Sequence, residues 1–300
     1  MIHRHHTARR LSLLSVVAAV SLAGLLAACG GAGGSSSPRI PAVNTISADS
    51  PPAYDTLATF TVAGTDLDAG LTASATGCTG PTFLSGGTSA SVKVTCTPSR
   101  DGDISVSVSS TGGTLLKSTS FAVPKPQVRM TTSVGTLLIE LEPAKAPVTV
   151  KNFLAYVQDG YYVNTVFHRI ISTFMAQGGG FTFGTAYAAK APTRAAIALE
   201  RTSTTGLSNT ARTIAMARTS APDSATSQFF INLVDNPFLN AQGSSDGNGY
   251  AVFGTVITTA DVNSDATLAA LRAVQVVNNG SGEVSLPPAP PVITAASRVR

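Results

Sequence analysis

Residues Phe167 to Gly180 read FHRIISTFMAQGGG, and no other stretch constrains the chain as tightly. Large apolar side chains at Phe167, Ile170, Ile171, Phe174 and Met175, with Phe230 as a distant partner, surround one arginine, Arg169, and one glutamine, Gln177. A guanidinium is never neutral near pH 7 and carries five donors in a fixed fork. Among apolar neighbours it needs a partner or a task. Beside it stands His168, the sole histidine beyond the first six residues. The run closes on Gly178-Gly179-Gly180. Three glycines suggest a phosphate cradle, but the Lys-Ser/Thr of a P-loop and the spacing of a dinucleotide fingerprint are missing. Close backbone approach to a neighbouring strand is the better reading.

Further motifs follow in order: RTIAMAR at Arg212–Arg218, SQFFI at Ser227–Ile231 and YAVFGTV at Tyr250–Val256. Together with FHRII–x–x–FMxQGG they resemble the cyclophilin family of peptidyl-prolyl cis-trans isomerases, and most closely its bacterial periplasmic members. The resemblance runs from about Val128 to the C-terminus. It implies an eight-stranded antiparallel β-barrel capped by two helices, with no cofactor.

The N-terminus reads as an address. Met1 to Arg10 is a basic segment and Leu11 to Ala28 an apolar, small-residue segment, the pattern of an export signal. Gly30 to Ile40 cannot continue such a helix. Leu26-Ala27-Ala28-Cys29 resembles a bacterial lipobox, which implies a signal peptide over 1–28 and lipidation of Cys29. By the same resemblance, Gly30 is compatible with an outer-membrane anchor facing the periplasm. Residues 29–41 form a Gly/Ser/Pro tether. Removing Arg4, Arg9 and Arg10 from the 20 basic residues leaves 17 against 16 acidic ones, so a nucleic-acid role loses its main argument. Without Cys29 the cysteines are even in number in an exported chain, where disulfides persist. A Cys78–Cys96 bridge would be worth about 3 kcal/mol in the chain-entropy model. The alternative is two buried free thiols. Two cysteines and one histidine do not make a four-ligand metal site.

Charged residues are only 12% of the chain and hydrophobic ones 43%, while Gly, Ser and Thr abound, which favours β structure. From 42 to 123, ATFTVA (Ala58–Ala63), Leu71–Thr76, ASVKVTC (Ala90–Cys96), ISVSVS (Ile104–Ser109) and Thr119–Val123 alternate with period two between turn clusters. Five to seven strands with one bridging cystine predict an immunoglobulin-like sandwich. It carries no cluster of ionisable groups and reads as a spacer or binding module. Pro124-Lys125-Pro126 is a stiff linker, residues 124–126. The isomerase-like domain then spans 127–300. Gln127–Thr132 and Gly135–Glu142 predict a hairpin. Pro147 sits at a helix start, with Val150, Phe153, Leu154 and Val157 on one face and Gly160 just past its end. A second helix is expected from about Asp265, acting as its cap, to Ala273, with Leu268 and Leu271 inward. Val292–Val299 is expected to return as the closing strand.

Rotation about an Xaa-Pro amide breaks no covalent bond, so no nucleophile, cofactor or metal is required. The problem is to stabilise the twisted amide more than the planar one. In the twisted state the prolyl nitrogen carries a localised lone pair, and a fixed cationic donor beside it favours that state. Arg169 is the candidate; the competing reading pairs it with a structural carboxylate. By resemblance, Phe174, Met175, Phe230 and Leu239 seat the proline ring, Gln177 holds a substrate amide or braces Arg169, and Gln228 and the Ala217 backbone contact the peptide. Phe238 and Tyr250 are expected as pocket neighbours, and His168 as a structural residue or a pocket neighbour. No proton is transferred, so His168 is not expected to act as a general base. Phe238 stands where the best-known eukaryotic members carry tryptophan, which implies weak cyclosporin binding. Arg218 replaces the commoner asparagine and Tyr250 the commoner histidine, as in the bacterial periplasmic branch. Ser172-Thr173 replaces a common Pro-Gly. The expected protein is a monomeric, lipid-anchored isomerase of the bacterial envelope acting on proline-containing segments of exported proteins. The rival readings are a non-catalytic peptide-binding chaperone and an envelope structural lipoprotein.

Overall fold

Alternation along the N-terminal segment becomes seven strands in a computed structural model, which describes residues 39–300. Cys29 and the rest of the lipoprotein-like segment lie outside the described residues. The strands are β1 (Ala42–Ala48), β2 (Ala58–Thr65), β3 (Leu71–Thr76), β4 (Cys78–Phe83), β5 (Ser91–Pro98), β6 (Gly102–Ser110) and β7 (Leu115–Val123). They form two antiparallel sheets, ordered β1-β2-β5-β4 and β3-β6-β7. Phe60, Val62 and Val94 from one and Ile104, Val106 and Val108 from the other are fully buried. The rings of Phe60 and Phe121 meet across the sheets at 4.8 Å. Strand β4 was not among the alternating segments read from the sequence; Gly80-Pro81 interrupt it at a register break with β5. The cystine Cys78–Cys96 is formed, with Cα atoms 5.8 Å apart. It joins neighbouring strands of one sheet, since β4 pairs with β5. The expected Cys78–Cys96 bridge is thus present, within one sheet.

No strand pairing crosses Pro124-Lys125-Pro126. Contacts across it are side-chain ones. Lys125 pairs with Glu142 at 2.6 Å, Asp101 accepts from the Ala144 N–H at 2.9 Å, and Arg298 donates to the Tyr54 carbonyl at 2.5 Å.

The C-terminal part holds β8 (Gln127–Thr132), β9 (Gly135–Leu141), α1 (Pro147–Gln158), β10 (Thr165–Ile171), β11 (Met175–Phe183), β12 (Tyr187–Ala189), the short α2 (Thr202–Thr205), β13 (Thr213–Met216), β14 (Phe229–Asn232), β15 (Val252–Ile257), α3 (Ser264–Arg272), β16 (Val277–Asn278), β17 (Val284–Leu286) and β18 (Ile293–Arg298). Eight of these strands run antiparallel in the order β10-β11-β14-β13-β15-β9-β8-β18. The two ends of that order meet at a bridge between Val166 and Val292, which leaves the barrel nearly closed. Helix α1 starts with Pro147 in its first turn, where a missing N–H costs nothing. Its Val150, Phe153, Leu154 and Val157 are buried, roughly 1.5–3 kcal/mol of transfer free energy each. Phe153 contacts the rings of Tyr162, Phe229 and Phe253, so the helix plugs the barrel with an aromatic cluster. Gly160 takes φ 66°, the left-handed stop expected after the helix. Helix α3 buries Leu268 and Leu271. Its cap is Asn263, which accepts from the Ala266 N–H at 3.1 Å. Asp265, expected as the cap, sits in the first turn and pairs with Arg212 instead.

Two irregularities position the site. Pairing of β10 with β11 shifts register between Thr165 and Phe167 and again between Phe167 and Arg169. Such bulges put an extra residue on one strand and re-aim its side chains. As a result Phe167 and Ile170, three residues apart, are both buried, while His168 and Arg169 lie between them. The glycines opposite are needed at two places. Gly179 has φ 80°, and a Cβ there would lie 2.9 Å from Tyr162 and 3.0 Å from the Ser227 carbonyl. At Gly180 a Cβ would lie 2.3 Å from the Gln228 side chain.

Candidate active site

Arg169 projects from β10 directly opposite Gln177 on β11. Along with Phe174, Met175, Ala217, Arg218, Phe230, Leu239 and Tyr250 they line a cavity of about 230 Å³. Its floor is a small apolar cluster separate from the main core, built on Met175, Ala215, Phe230, Leu239 and Val252. Phe230 stands edge-on to Tyr250 at 5.5 Å. These side chains come from five separate segments of the chain, and sheet pairing of β11 with β14 and β14 with β13 helps bring them together.

Arg169 is not unpartnered. Its Nε donates to Glu283 Oε1 at 2.7 Å and its Nη2 to Glu283 Oε2 at 2.5 Å. Only the Nη1 edge is left over, and it lies 3.9 Å from Met175 Sδ. The guanidinium carbon is 5.8 Å from the Phe174 ring centroid. The competing carboxylate-pair reading is therefore realised, but with a surface acid: the Arg169 and Glu283 side chains are 32% and 33% exposed. Hydrogen bonds from Arg169, ahead of Ser285, pull the Glu283 carboxyl down to about 2, so it is ionised at every working pH. Glu283 gave no signal in the sequence, where it ends a Gly- and Asn-rich turn.

Gln177 does not brace Arg169. Its Nε2 donates to Gln228 Oε1 at 3.0 Å. Gln228 lines a neighbouring recess of about 150 Å³ shared with Gln177, Ala217 and Arg218. The Ala217 N–H donates to the Gln228 carbonyl at 2.9 Å and is thus committed internally. Phe238 lies outside the 230 Å³ cavity. It is 53% exposed and stacks on Phe174 at 5.5 Å, lining a larger recess with Leu239 and Tyr250.

His168 is also turned away from the cavity. Its ring packs on Phe181 at 4.5 Å, and its buried Nδ1 has no hydrogen-bond partner among the described residues. Burial pushes its pKa down to about 4. Of the two readings of His168, structural residue and pocket neighbour, the packing on Phe181 places it as the first.

Arg218 is the second cation at the site. Its side chain is 4% exposed and pairs with Asp246 at 2.5 Å. It also donates to the Gly249 carbonyl at 2.8 Å, and its guanidinium carbon sits 4.8 Å over the Tyr250 ring. Backbone N–H donation from Asn248, then Arg218, holds the Asp246 carboxyl well below the usual carboxylate range. Arg218 is thus a fixed wall between the cavity and its neighbours.

A nearly closed antiparallel barrel that opens on one edge into a small apolar cavity, with a guanidinium edge on its wall, defines a class of site built to seat an apolar ring beside a donor. A family model described as "Cyclophilin type peptidyl-prolyl cis-trans isomerase/CLD" matches residues 127–288. A peptidyl-prolyl cis-trans isomerase of Acinetobacter baylyi is 50% identical over 151 residues, which cover 50% of this chain and 76% of the relative. Peptidyl-prolyl cis-trans isomerase B of Escherichia coli is 51% identical over 133 residues, 44% of this chain and 77% of the relative. A crystal structure of a cyclophilin-type isomerase of Cryptosporidium parvum, solved in the presence of the dipeptide Ala-Pro, has 29% identity and covers 57% of this chain and 96% of its own, with a TM-score of 0.43. The chain belongs to the cyclophilin-type peptidyl-prolyl cis-trans isomerase family, and the assignment rests on the family match and the sequence relatives. It is an isomerase of that class.

Proposed function

We propose that Arg169 lowers the Xaa-Pro rotation barrier by donating from its Nη1 edge to the prolyl nitrogen of a peptide seated in the apolar cavity. The uncatalysed barrier is roughly 18–20 kcal/mol. A turnover of about 10³ per second corresponds to about 13 kcal/mol, so the site must supply on the order of 5–7 kcal/mol. Ring burial against Met175, Phe230 and Leu239 holds the proline while the carbonyl side rotates. One preorganised donor aimed at the localised lone pair is worth about 3–4 kcal/mol in a water-poor site. Gln177 and Gln228 act together as a paired amide that orients the substrate backbone. The observation that carries this reading is the geometry of Arg169: Glu283 takes Nε and Nη2, and the remaining edge lies beside Met175 on the cavity wall.

The substrates are proline-containing segments of unfolded or exported proteins. The protein works as a monomer held by lipid at Cys29 in the bacterial envelope, facing the periplasm on the outer membrane. The signal-like segment 1–28 and the tether 29–41 support this placement. The two-sheet part, 42–123, is an immunoglobulin-like module that carries the isomerase domain, 127–300, away from the membrane.

The test is exchange of an Ala-Pro model peptide, comparing wild type with Arg169→Ala and measuring peptide binding in parallel. The expected result is a loss of about 10²–10³ in kcat with binding retained within a few fold. Wild-type binding without acceleration would leave a peptide-binding chaperone. Neither binding nor acceleration would leave an envelope structural lipoprotein.

A further inference from the structure

Arg169 is a long side chain a third exposed at the mouth of its cavity. Left alone, such a guanidinium samples many positions, and a donor to a twisted amide works only from one of them. We infer that Glu283 is a positioning residue for the isomerisation: it grips one edge of the Arg169 guanidinium and thereby aims the opposite edge at the prolyl nitrogen. The inference rests on the reading of Arg169 given above.

Two parallel charge-assisted hydrogen bonds fix the plane of a guanidinium as well as its place. Glu283 makes that contact through both of its oxygens, at 2.7 Å and 2.5 Å. The backbone that presents the carboxylate is itself held. It belongs to the turn joining β16 to β17, where the Asn279 N–H donates to the Glu283 carbonyl at 2.8 Å. The Asn278 side chain accepts from the Gly280 N–H at 2.8 Å and the Gly282 N–H at 3.2 Å. Gly280 and Gly282 take φ 91° and 96°, conformations that suit glycine. The turn is therefore built around the acid it presents. A carboxylate also screens part of the arginine charge. Because a third of each side chain stays exposed to solvent, that loss is small against the gain in orientation. An autoinhibitory clamp would instead occupy the cavity-facing edge, and here that edge meets only the weak acceptor Met175 Sδ at 3.9 Å.

The test uses the full chain and an Ala-Pro peptide, with kcat and KM resolved separately. Glu283→Ala is expected to lower kcat on the order of 10-fold to 100-fold with KM nearly unchanged. Glu283→Asp, which keeps a carboxylate one methylene shorter, is expected to recover part of that loss. In an Arg169→Ala background, Glu283→Ala is expected to cost nothing further, because Glu283 acts only through Arg169. Unfolding of each variant is followed by circular dichroism, and if Glu283→Ala fails to fold, Glu283→Asp and Glu283→Gln carry the comparison. An active wild type with equal or faster Glu283→Ala overturns the inference and leaves the isomerase reading intact. So does a loss confined to KM, or one that persists in the Arg169→Ala background. A wild type with no acceleration overturns both.

Discussion

Replacing His168 by phenylalanine gives a stability change whose dependence on pH follows from the structure. The imidazole packs on Phe181, and burial moves its pKa from an ordinary 6.5 to about 4. Above pH 6.5 the ring is neutral in the folded and the unfolded chain, and ionisation contributes nothing. Between pH 6.5 and about 4 the unfolded chain binds a proton that the folded chain refuses. Stability therefore falls as pH is lowered through this window and levels off below it. A difference of about 2.5 units is worth on the order of 3 kcal/mol in full, and about 2.5 kcal/mol is developed by pH 4.5. His168→Phe keeps a ring against Phe181 and removes the titration. Any cost of the added volume is independent of pH and cancels when two pH values are compared. The assay is urea unfolding from pH 7.5 to 4.5, followed by circular dichroism because the chain has no tryptophan. The variant is expected to gain about 2.5 kcal/mol on wild type over that range. A difference that does not vary with pH would refute the buried, neutral imidazole. The same variant tests the chemistry. Its kcat/KM is expected to match wild type within about twofold, with no inflection between pH 5 and 8. A break near pH 6–7 that vanishes in His168→Phe would return proton transfer to the mechanism.

Gly180→Ala places a Cβ 2.3 Å from the Gln228 side chain. That flexible end swings away and breaks the 3.0 Å contact with Gln177, so KM for an Ala-Pro peptide is expected to rise about fivefold with the unfolding midpoint little changed. Cys78→Ser with Cys96→Ser removes the only cystine found among the described residues and is expected to cost the N-terminal sheets about 3 kcal/mol, while the isomerase rate at 25 °C stays at the wild-type value. Cys29→Ser is expected to abolish incorporation of labelled fatty acid and release the protein from the membrane fraction; unchanged labelling would remove the lipid-anchor proposal.

Much of the barrel was legible because its signals are local. The Gln127–Leu141 hairpin, the α1 face from Val150 to Val157 and the Gly160 stop depend on residues within a turn or two of each other. Strand β4 was hidden by Gly80-Pro81, which interrupt its alternation and sit at a break in its pairing with β5 between Thr79 and Thr82. The α3 cap went to Asn263 rather than Asp265 because Arg212, distant in sequence, draws Asp265 outward. At the site, the apolar seat and Arg169 stood out in their motifs. What they lacked was direction, since motifs name neighbours along the chain and not the partners brought by folding.

Residue order alone determined a β-rich chain, a guanidinium within an apolar run, and the membership that follows from that run. Tertiary structure decided what each group faces. A bulge at His168 turns both Phe167 and Ile170 to the core, and a turn 114 residues away delivers Glu283 to Arg169. The physical reason is that hydrophobic periodicity acts over a few residues, whereas an ion pair needs only proximity in space, which the closed sheet creates between segments that share no local pattern.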